Sequence, residues 1–373
     1  MIKRVLETVI RGKINDGRAI VILGPRRTGK TTLVESIVKN FNSFLLLDCD
    51  DPLVRSRLEN ANTEQIRQLF GDYKLVFIDE AQRVRNIGVT VKIMVDRFKK
   101  VQVIVSGSSS LELANEISEP LTGRKWPFML YPVSWQELRD HAGVISSQQQ
   151  LNSRLVYGMY PEVIMRPGLE NQILAELTDS CLFKDILSFG GIRKPDTLEK
   201  LLRALAFQVG NEVSFNELAT QVQVDKNTIM NYINLLEKNF IIFRLNPFKR
   251  NLRNEISTSR KIYFFDNGIR NALISNFLPV ERRQDTGALW ENFIIAERMK
   301  FLQYQGIRAN CYFWRTVSQQ EIDFIEERNG KITAYEMKWN PKVRLKEPKC
   351  FLEAYQSEIR LVTPSNFEDF LTE

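Results

Sequence analysis

A glycine-rich phosphate-binding motif is the feature that most constrains this chain. Residues 24–31 read GPRRTGKT and satisfy the pattern GxxxxGK[ST] in full. The short apolar run 19–23 precedes the motif, and residues 31–41 follow it with apolar positions at helical spacing. Between a strand and a helix, backbone N–H groups and the helix N-terminus can bind a phosphate together. The motif therefore predicts a nucleotide site on a parallel sheet that is covered by helices.

The residue types of this loop predict ATP and Mg²⁺ as ligands. Lys30 should reach the β- and γ-phosphates, and the Thr31 hydroxyl should coordinate Mg²⁺. The other residues expected to line the nucleotide are Gly24, Pro25, Arg26, Arg27, Thr28, Gly29 and Thr32. A chance glycine-rich turn is the alternative, and it explains the two matching flanks poorly.

A second motif ends an apolar strand with two acids. Residues 75–80 read LVFIDE, and acids at the C-terminal end of a parallel strand face the ligand crevice. Asp79 is predicted to hold Mg²⁺ through water. Glu80 is predicted to polarise the attacking water, because the metal occupies Asp79. A solvated turn is the alternative interpretation.

Two further positions are candidates for catalysis. The apolar strand 101–105 ends in small hydroxyl residues, and we expect it to lie between the other two strands. Ser108 is then the favoured residue to contact the γ-phosphate or orient the water, but the sequence does not distinguish it from Ser106 or Ser109 in this role. Arg124 is predicted to neutralise transition-state charge, either in its own chain or from a neighbouring subunit. A surface arginine is the alternative.

The middle of the chain is predicted to be mostly helical. Residues 214–221 and 225–237 form a helix-turn-helix pattern, and the second helix should present Lys226, Asn227 and Asn231 outward. The basic residues that would suit phosphate contacts nearby are Arg244, Lys249, Arg250, Arg253, Arg260 and Lys261. DNA is therefore a candidate partner, and a protein-packing module is the alternative.

Near the C-terminus, a strand hairpin carries acids and a lysine. Residues 321–325 alternate as a strand, an Asn-Gly turn follows, and residues 332–338 return. Asp323, Glu336 and Lys338 should converge, because side chains two residues apart share a face. Two carboxylates repel each other unless a divalent cation lies between them, so the pattern predicts a second metal site. An exposed hairpin is the alternative.

The amino-acid composition limits the number of domains, the kinds of site and the partners that this chain can have. The 373 residues suit two or three domains, and 52 Lys+Arg against 45 Asp+Glu give a net charge of +7, which weakly favours a polyanionic partner. A single histidine and four dispersed cysteines argue against His-based catalysis, a zinc cluster and a disulfide framework. The apolar runs are strand-sized, so we expect no membrane segment and a cytoplasmic location.

Together these motifs resemble the AAA-type, additional-strand P-loop ATPases, and more narrowly the prokaryotic AAA family ATPases with a C-terminal DUF4143 domain. The segments that carry the resemblance are GPRRTGKTTL (24–33), LVFIDEAQ (75–82), SGSSSLEL (106–113), LTGR (121–124), KIYFFDNGI (261–269) and GALWENF (287–293). The resemblance implies an α/β fold in three parts. These are an additional-strand P-loop ATPase domain (1–145), a helical and winged-helix region (146–255) and an α/β restriction-endonuclease-like domain (256–373).

The C-terminal hairpin is similar to the PD-(D/E)xK nuclease superfamily. Glu291 on the preceding helix matches the extra helical acid of that superfamily, so Glu291, Asp323 and Glu336 are predicted metal ligands with Lys338 beside them. Ile322 stands where a proline usually precedes the aspartate, which leaves cleavage activity open.

Two functions follow from these features. The first is Mg²⁺-dependent ATP hydrolysis that couples nucleotide state to DNA engagement by the middle and C-terminal domains. The alternative is a nucleotide-operated protein-interaction switch with an inactive nuclease-like domain. The sequence leaves the client and any homo-oligomeric assembly open.

Overall fold

Two compact units make up the chain in the computed structural model. The first contains residues 1–141 and 238–240, and the second contains residues 142–237 and 241–373. The structure describes residues 1–39, 41, 43–108, 120–182, 195–249, 260–316, 320–345 and 348–373, with the backbone alone for 180–182.

A parallel sheet forms the centre of the first unit. Its described strands are β1 (Ala19–Leu23), β2 (Leu45–Asp48), β3 (Leu75–Asp79), β4 (Gln102–Gly107) and β5 (Lys125–Met129), in the spatial order β2-β3-β4-β1-β5. Neighbouring strands pair in parallel. Every residue of β1, β3 and β4 is buried, as expected for strands covered on both faces. The predicted α/β sheet is confirmed, and β4 lies between β1 and β3 as expected.

Helices connect these strands. They are α1 (Val5–Arg11), α2 (Lys30–Val38), α3 (Pro52–Leu58), α4 (Thr63–Phe70), α5 (Ile87–Arg97) and α6 (Trp135–Ala142), with a 3₁₀ turn at Ala81–Arg83. Helix α2 begins directly after the glycine-rich loop that follows β1. Because β1, β3 and β4 are parallel, their carboxyl ends meet at one edge of the sheet, which brings the three predicted motifs together.

The helices of the second unit are α7 (Val144–Tyr157), α8 (Pro161–Met165), α9 (Glu170–Glu176), α10 (Pro195–Phe207), α11 (Phe215–Val222), α12 (Lys226–Lys238), α13 (Asn267–Leu273), α14 (Thr286–Tyr304), α15 (Lys349–Tyr355) and α16 (Phe367–Phe370). A π-helical turn at Leu177–Leu182 and a 3₁₀ turn at Val280–Arg282 accompany them. Asp266 accepts a hydrogen bond from the Ile269 N–H at 3.1 Å and caps α13. Asp266 therefore marks the residue at which α13 starts.

A mixed sheet runs through the second unit. Its described strands are β6 (Glu212–Val213), β7 (Ile242–Pro247), β8 (Arg260–Phe264), β9 (Asn310–Arg315), β10 (Glu321–Arg328), β11 (Lys331–Met337) and β12 (Ile359–Val362). The spatial order is β12-β11-β10-β9-β7-β8-β6, with β7 parallel to β9. Asn329 and Gly330 have φ values of 49° and 79°, as a tight hairpin turn between β10 and β11 requires. The predicted hairpin is confirmed.

A buried amide network fixes β8 against α14. The Asn292 side chain donates to the Phe264 carbonyl at 3.0 Å and accepts from the Phe264 N–H at 2.7 Å. Asn292 also donates to Asn267 at 2.6 Å, which in turn donates to the Leu289 carbonyl at 3.0 Å. Because buried backbone groups need partners, this network sets the position at which side chains of β8 and α14 meet.

Within the described ranges, no helix has both the length and the apolar composition that crossing a bilayer requires.

Candidate functional site

The glycine-rich loop owes its shape to close packing. A Cβ atom on Gly24 would overlap the Leu130 carbonyl, because the Leu130 N–H donates to the Leu23 carbonyl at 2.7 Å. Gly29, at the start of α2, has a φ of 90°, a left-handed conformation that glycine adopts without strain. Both glycines of the motif are therefore required by backbone geometry.

Within the loop, Lys30 and Thr28 bind carbonyl oxygens. Lys30 is buried, and its Nζ donates to the carbonyls of Gly24 at 3.0 Å and Pro25 at 2.9 Å. The Thr28 hydroxyl also donates to the Pro25 carbonyl at 2.9 Å. The ammonium thus lies against the curled backbone, where the motif predicts a phosphate.

Asp79, the last residue of β3, connects this strand to α2 and to β4. Its Oδ2 accepts from the Thr31 hydroxyl at 2.7 Å, and its Oδ1 accepts from the Glu80 N–H at 3.0 Å and from the Ser106 hydroxyl. The predicted Mg²⁺ ligands Thr31 and Asp79 are therefore in direct contact. Hydroxyl and carboxylate oxygens suit Mg²⁺, so this donor set fits the ion.

Beside Asp79, Glu80 is held by a residue that sequence reasoning missed. Gln82 Nε2 donates to Glu80 Oε2 at 2.5 Å and to the Ser108 hydroxyl at 2.9 Å. Gln82 is 7% exposed, and its Oε1 has no hydrogen-bond partner among the described residues. Ser108 therefore lies on the Glu80 side of the site and Ser106 on the Asp79 side. Ser109, the third serine considered, falls outside the described residues.

Arg4 is a second residue that the motifs did not indicate. Its guanidinium donates to the Thr28 carbonyl and to the Tyr131 carbonyl, each at 2.6 Å, and forms an ion pair with Glu137 at 3.0 Å. Both partners of the ion pair are buried. Arg4 therefore links the glycine-rich loop at Thr28 to the segment that follows β5 at Tyr131. An isolated arginine 20 residues before the motif gives no local sequence signal of this role.

The remaining loop residues differ in exposure. Arg26 is half-buried, whereas Arg27, Thr31 and Thr32 are exposed. Arg27 has a φ of 58°, so the loop is curled there as well. Arg27 thus belongs to the curled loop, whereas Thr31 and Thr32 belong to the first turn of α2.

The structure does not bring Arg124 to the loop. Arg124 precedes β5, and its carbonyl pairs with the N–H of Ala19 at the start of β1, whereas the loop follows the other end of β1. Its guanidinium donates to Asp96 at 2.7 Å. Within its own chain, Arg124 thus lies at the opposite edge of the sheet from the glycine-rich loop. A role toward a neighbouring subunit stays a prediction.

In the second unit, a cluster of charged residues forms around the predicted nuclease-like site. We define the acid cluster as Glu291, Glu321, Asp323 and Glu336 with Lys261, Tyr263 and Lys338. Lys338 Nζ lies 2.8 Å from Glu336 and 3.3 Å from Asp323, and Asp323 also accepts from the Met337 N–H at 2.8 Å. The predicted convergence of Asp323, Glu336 and Lys338 is thus present.

Lys261 joins Glu291 to the same cluster. The Lys261 ammonium lies 3.0 Å from Glu291 and 3.8 Å from Asp323, and it contacts Glu321. The Tyr263 hydroxyl donates to Glu291 at 2.6 Å. Lys261 and Tyr263 are two residues apart on β8, so their shared face could have been read from the sequence, but its acidic neighbours could not.

The protonation of these acids follows their surroundings. Burial raises the pKa of Glu291 to about 7, against the opposing effect of the Lys261 ammonium. Burial and the charge of Asp323 raise the pKa of Glu336 to about 8. For Asp323, burial opposes ionisation, but Lys261 and its other partners outweigh it and lower the pKa. Asp323 therefore stays ionised at neutral pH.

The predicted second divalent metal does not fit this donor set. An ammonium group already lies between Glu291 and Asp323, and a second one lies between Asp323 and Glu336. Across the part of the chain that the structure describes, no group of three or more His, Cys, Asp or Glu side chains could hold a metal ion.

The predicted DNA-contacting residues divide into two groups. Lys226, Asn227 and Asn231 are exposed, as expected. The Thr228 N–H donates to Asp225 at 2.9 Å, so Asp225 caps α12. Of the following basic stretch, Arg244 pairs with Glu237 at 2.5 Å.

Lys261 is 1% exposed, so its predicted phosphate contact is wrong. The strand β8 turns this side chain into the acid cluster. Arg250 and Arg253 fall outside the described residues, while Lys249 and Arg260 are half-buried.

Three family models match successive parts of the chain. Residues 16–139 match the family described as AAA domain. Residues 148–279 match a domain of unknown function, DUF8612, and residues 286–369 match the domain of unknown function DUF4143.

Relatives that this chain matches over most of their length occur in bacteria and archaea. An uncharacterized protein of Mycobacterium tuberculosis is 27% identical over 333 residues, which cover 88% of this chain and 72% of that protein. An uncharacterized protein of Haemophilus influenzae is 25% identical, with 84% of this chain and 80% of the relative covered. Among solved structures, the Walker-type ATPase of Pyrococcus abyssi has a TM-score of 0.52 at 16% identity, covering 74% of this chain and 96% of that chain. This last likeness shows a shared fold.

Proposed function

For a chain that joins an AAA-type P-loop ATPase domain to a C-terminal DUF4143 domain, we propose Mg²⁺-dependent hydrolysis of ATP as the central activity. The observation that carries the proposal is the direct contact of Thr31 with Asp79 at 2.7 Å, at the edge where the Lys30 loop begins and Glu80 follows β3. These are the groups that phosphoryl transfer to water needs in one place.

The residues divide the work of hydrolysis as follows. Lys30 exchanges the carbonyls of Gly24 and Pro25 for the β- and γ-phosphates, and the loop N–H groups bind phosphate oxygens. Thr31 and Asp79 would hold Mg²⁺, which neutralises phosphate charge when bound. Glu80 accepts a proton from the water that attacks the γ-phosphorus. The bond from that phosphorus to the ADP oxygen breaks, ADP and phosphate leave, and Glu80 returns the proton to solvent.

Phosphate release from ATP tests this assignment. Glu80→Gln should lower kcat by about 10²–10⁴-fold with ATP binding retained, because it removes the base alone. Lys30→Ala should lose both binding and turnover. The exposed Lys39→Ala, at the end of α2, is the matched control and should behave as wild type. Wild-type turnover by Lys30→Ala would contradict the proposal.

We further propose that α12 engages duplex DNA. The support is an element order of α10, β6, α11, α12, β7 and β8, with β6 and β7 on either side of β8, which is the order of a winged helix. The exposed Lys226 and Asn231 on α12 and the net charge of +7 also favour a polyanion. Lys226→Ala combined with Asn231→Ala should weaken duplex binding in a fluorescence anisotropy titration, whereas the exposed Lys200→Ala should not. Equal binding by all three proteins would reject α12 as the contact.

A protein-interaction switch is the second candidate function. It is favoured by the internal use of Arg244 and Lys261, two residues that a DNA-binding surface was expected to include. In this case, ATP turnover is intact and unchanged by DNA, and duplex binding is absent even at low salt.

A further inference from the structure

We propose that the Lys261 ammonium takes the place of a divalent cation in the acid cluster, so that the wild-type chain has no metal-dependent nuclease site there. The resemblance to the PD-(D/E)xK superfamily implies a metal held by Glu291, Asp323 and Glu336. The inference concerns the second unit and does not depend on ATP hydrolysis.

The position of Lys261 is central to the cluster. Its Nζ lies 3.0 Å from Glu291 and 3.8 Å from Asp323, and it contacts Glu321. One positive charge therefore touches carboxylates from α14 and from two positions of β10. In a metal-dependent site, the ion makes these links between the helix and the hairpin.

A lysine and a divalent ion exclude each other here. Divalent ions bind carboxylate oxygens at roughly 2.0–2.6 Å, inside the space that the ammonium fills. A metal beside the ammonium would also meet a like charge away from bulk water, where repulsion is strong. On the other side of Asp323, Lys338 Nζ at 3.3 Å and the Met337 N–H at 2.8 Å occupy the second oxygen.

Lys261 cannot readily swing away to admit a metal. Its backbone lies within the sheet, paired with Glu212 on β6 and Leu245 on β7. The side chain is 1% exposed, and its ammonium also lies 5.8 Å from the centre of the Phe313 ring. An unpaired ammonium would be left in a buried position, which is costly. The cluster is therefore a fixed ionic connection between β8, α14, β10 and β11.

Manganese binding to the full-length, nucleotide-free protein tests the proposal. Free Mn²⁺ is measured by electron paramagnetic resonance with wild type, Lys261→Met, Asp323→Asn and the double variant, and circular dichroism checks folding. Methionine keeps the length of lysine without its charge. Wild type and Asp323→Asn should bind equal amounts of Mn²⁺. Lys261→Met should gain one site, at least about tenfold tighter than any binding to this cluster in wild type, because the like charge is gone. The double variant should lose that site.

Several outcomes would overturn the proposal. One is a wild-type Mn²⁺ site that disappears in Asp323→Asn. Another is nicking of supercoiled DNA by wild type with Mn²⁺ that Asp323→Asn abolishes. A folded Lys261→Met that gains no site would show that Lys261 does not stand in a cation position. If Lys261→Met does not fold, the comparison of wild type with Asp323→Asn decides by itself.

Discussion

Gln82 is the residue through which the proposed catalytic base is oriented. Its amide nitrogen binds Glu80 Oε2 and the Ser108 hydroxyl at the same time, so the Glu80 carboxylate is fixed relative to β4. A base contributes fully to proton transfer only when it is held in reach of the water. Gln82 is thus a positioning residue in our interpretation of the site.

Removing this amide should slow turnover without weakening nucleotide binding. We expect Gln82→Ala to lower kcat about tenfold, a part of the 10²–10⁴ that a positioned base contributes. The affinity for a fluorescent ATP analogue should be unchanged, because Gln82 is not predicted to touch the nucleotide. The exposed Gln68→Ala on α4 is the control. An unchanged kcat, or a loss of affinity equal to the loss of kcat, would argue against positioning.

Cys49 lies close to Asp79 and Glu80, and its thiol should be chemically inert. It is fully buried, and burial together with the charges of Asp48, Asp79 and Glu80 raises its pKa to about 12. Because the thiolate is the form that reacts, Cys49 should resist iodoacetamide in the folded protein.

Peptide mass spectrometry after alkylation at about pH 8 checks this expectation. The exposed Cys350 should be modified first, and Cys49 only after unfolding in urea. Labelling of Cys49 at the rate of Cys350 would mean that the strand end beside Asp79 is open to solvent.

At the scale of elements, motif spacing was enough to predict three strands of the first unit and their order. The strands near residues 19, 75 and 101 are found in the expected order, because buried parallel strands leave long apolar runs in the sequence. The Asn-Gly turn likewise predicted the β10–β11 hairpin, since both turn residues need positive φ. Local rules of this kind suffice where one short segment carries the whole pattern, as an apolar strand or a tight turn does.

The same rules failed for side chains with distant partners. Lys261 looked like a member of a basic stretch, but its partners Glu291 and Asp323 lie 30 and 62 residues further along. Gln82 donates a hydrogen bond to Ser108, which follows a different strand. The position of Arg124 at the far edge of the sheet depends on the register of β5 with β1, which the local sequence does not contain. Periodicity defines a face of an element, whereas the charge opposite that face depends on the fold.

The start of α14 contains an ionic centre whose strength should depend on pH. Asp285 pairs with Arg270 at 2.6 Å and with Arg283 at 2.8 Å, and both guanidiniums are buried. Burial alone would raise the pKa of Asp285, but the hydrogen bonds from Arg283 and Arg270 outweigh it and lower the pKa. A lowered pKa means that this stabilisation is complete above the unfolded value of about 4 and is lost as the pH falls through the folded value.

Asp285→Asn should therefore destabilise the protein at neutral pH. We expect a loss of about 3–5 kcal/mol in the free energy of unfolding, since two buried arginines lose their counter-charge. The difference from wild type should shrink as the pH falls below about 4. Urea unfolding across this range measures it, with the exposed Glu353→Gln as control. A difference that is constant with pH would show that the charge of Asp285 is not the cause.

For the whole molecule, the decisive property is coupling between nucleotide and partner. The proposed ATP site lies in the first unit, and the proposed DNA contact on α12 belongs to the second. Thermodynamic linkage requires any effect of ATP on DNA affinity to equal the effect of DNA on ATP affinity. Coupled sites typically change each other's affinity by about 5–150-fold.

Both affinities can be measured with Glu80→Gln, in which ATP should bind without turnover. We expect ATP and Mg²⁺ to change the duplex affinity by at least about fivefold, and the duplex to change the ATP affinity by the same factor. The combination Lys30→Ala and Glu80→Gln should remove the effect in both directions. If both ligands still bind but neither changes the affinity for the other, the ATP site is not coupled to α12, and a protein client is favoured. Since DNA affinity also falls with salt, both titrations need the same ionic strength for the factors to be comparable.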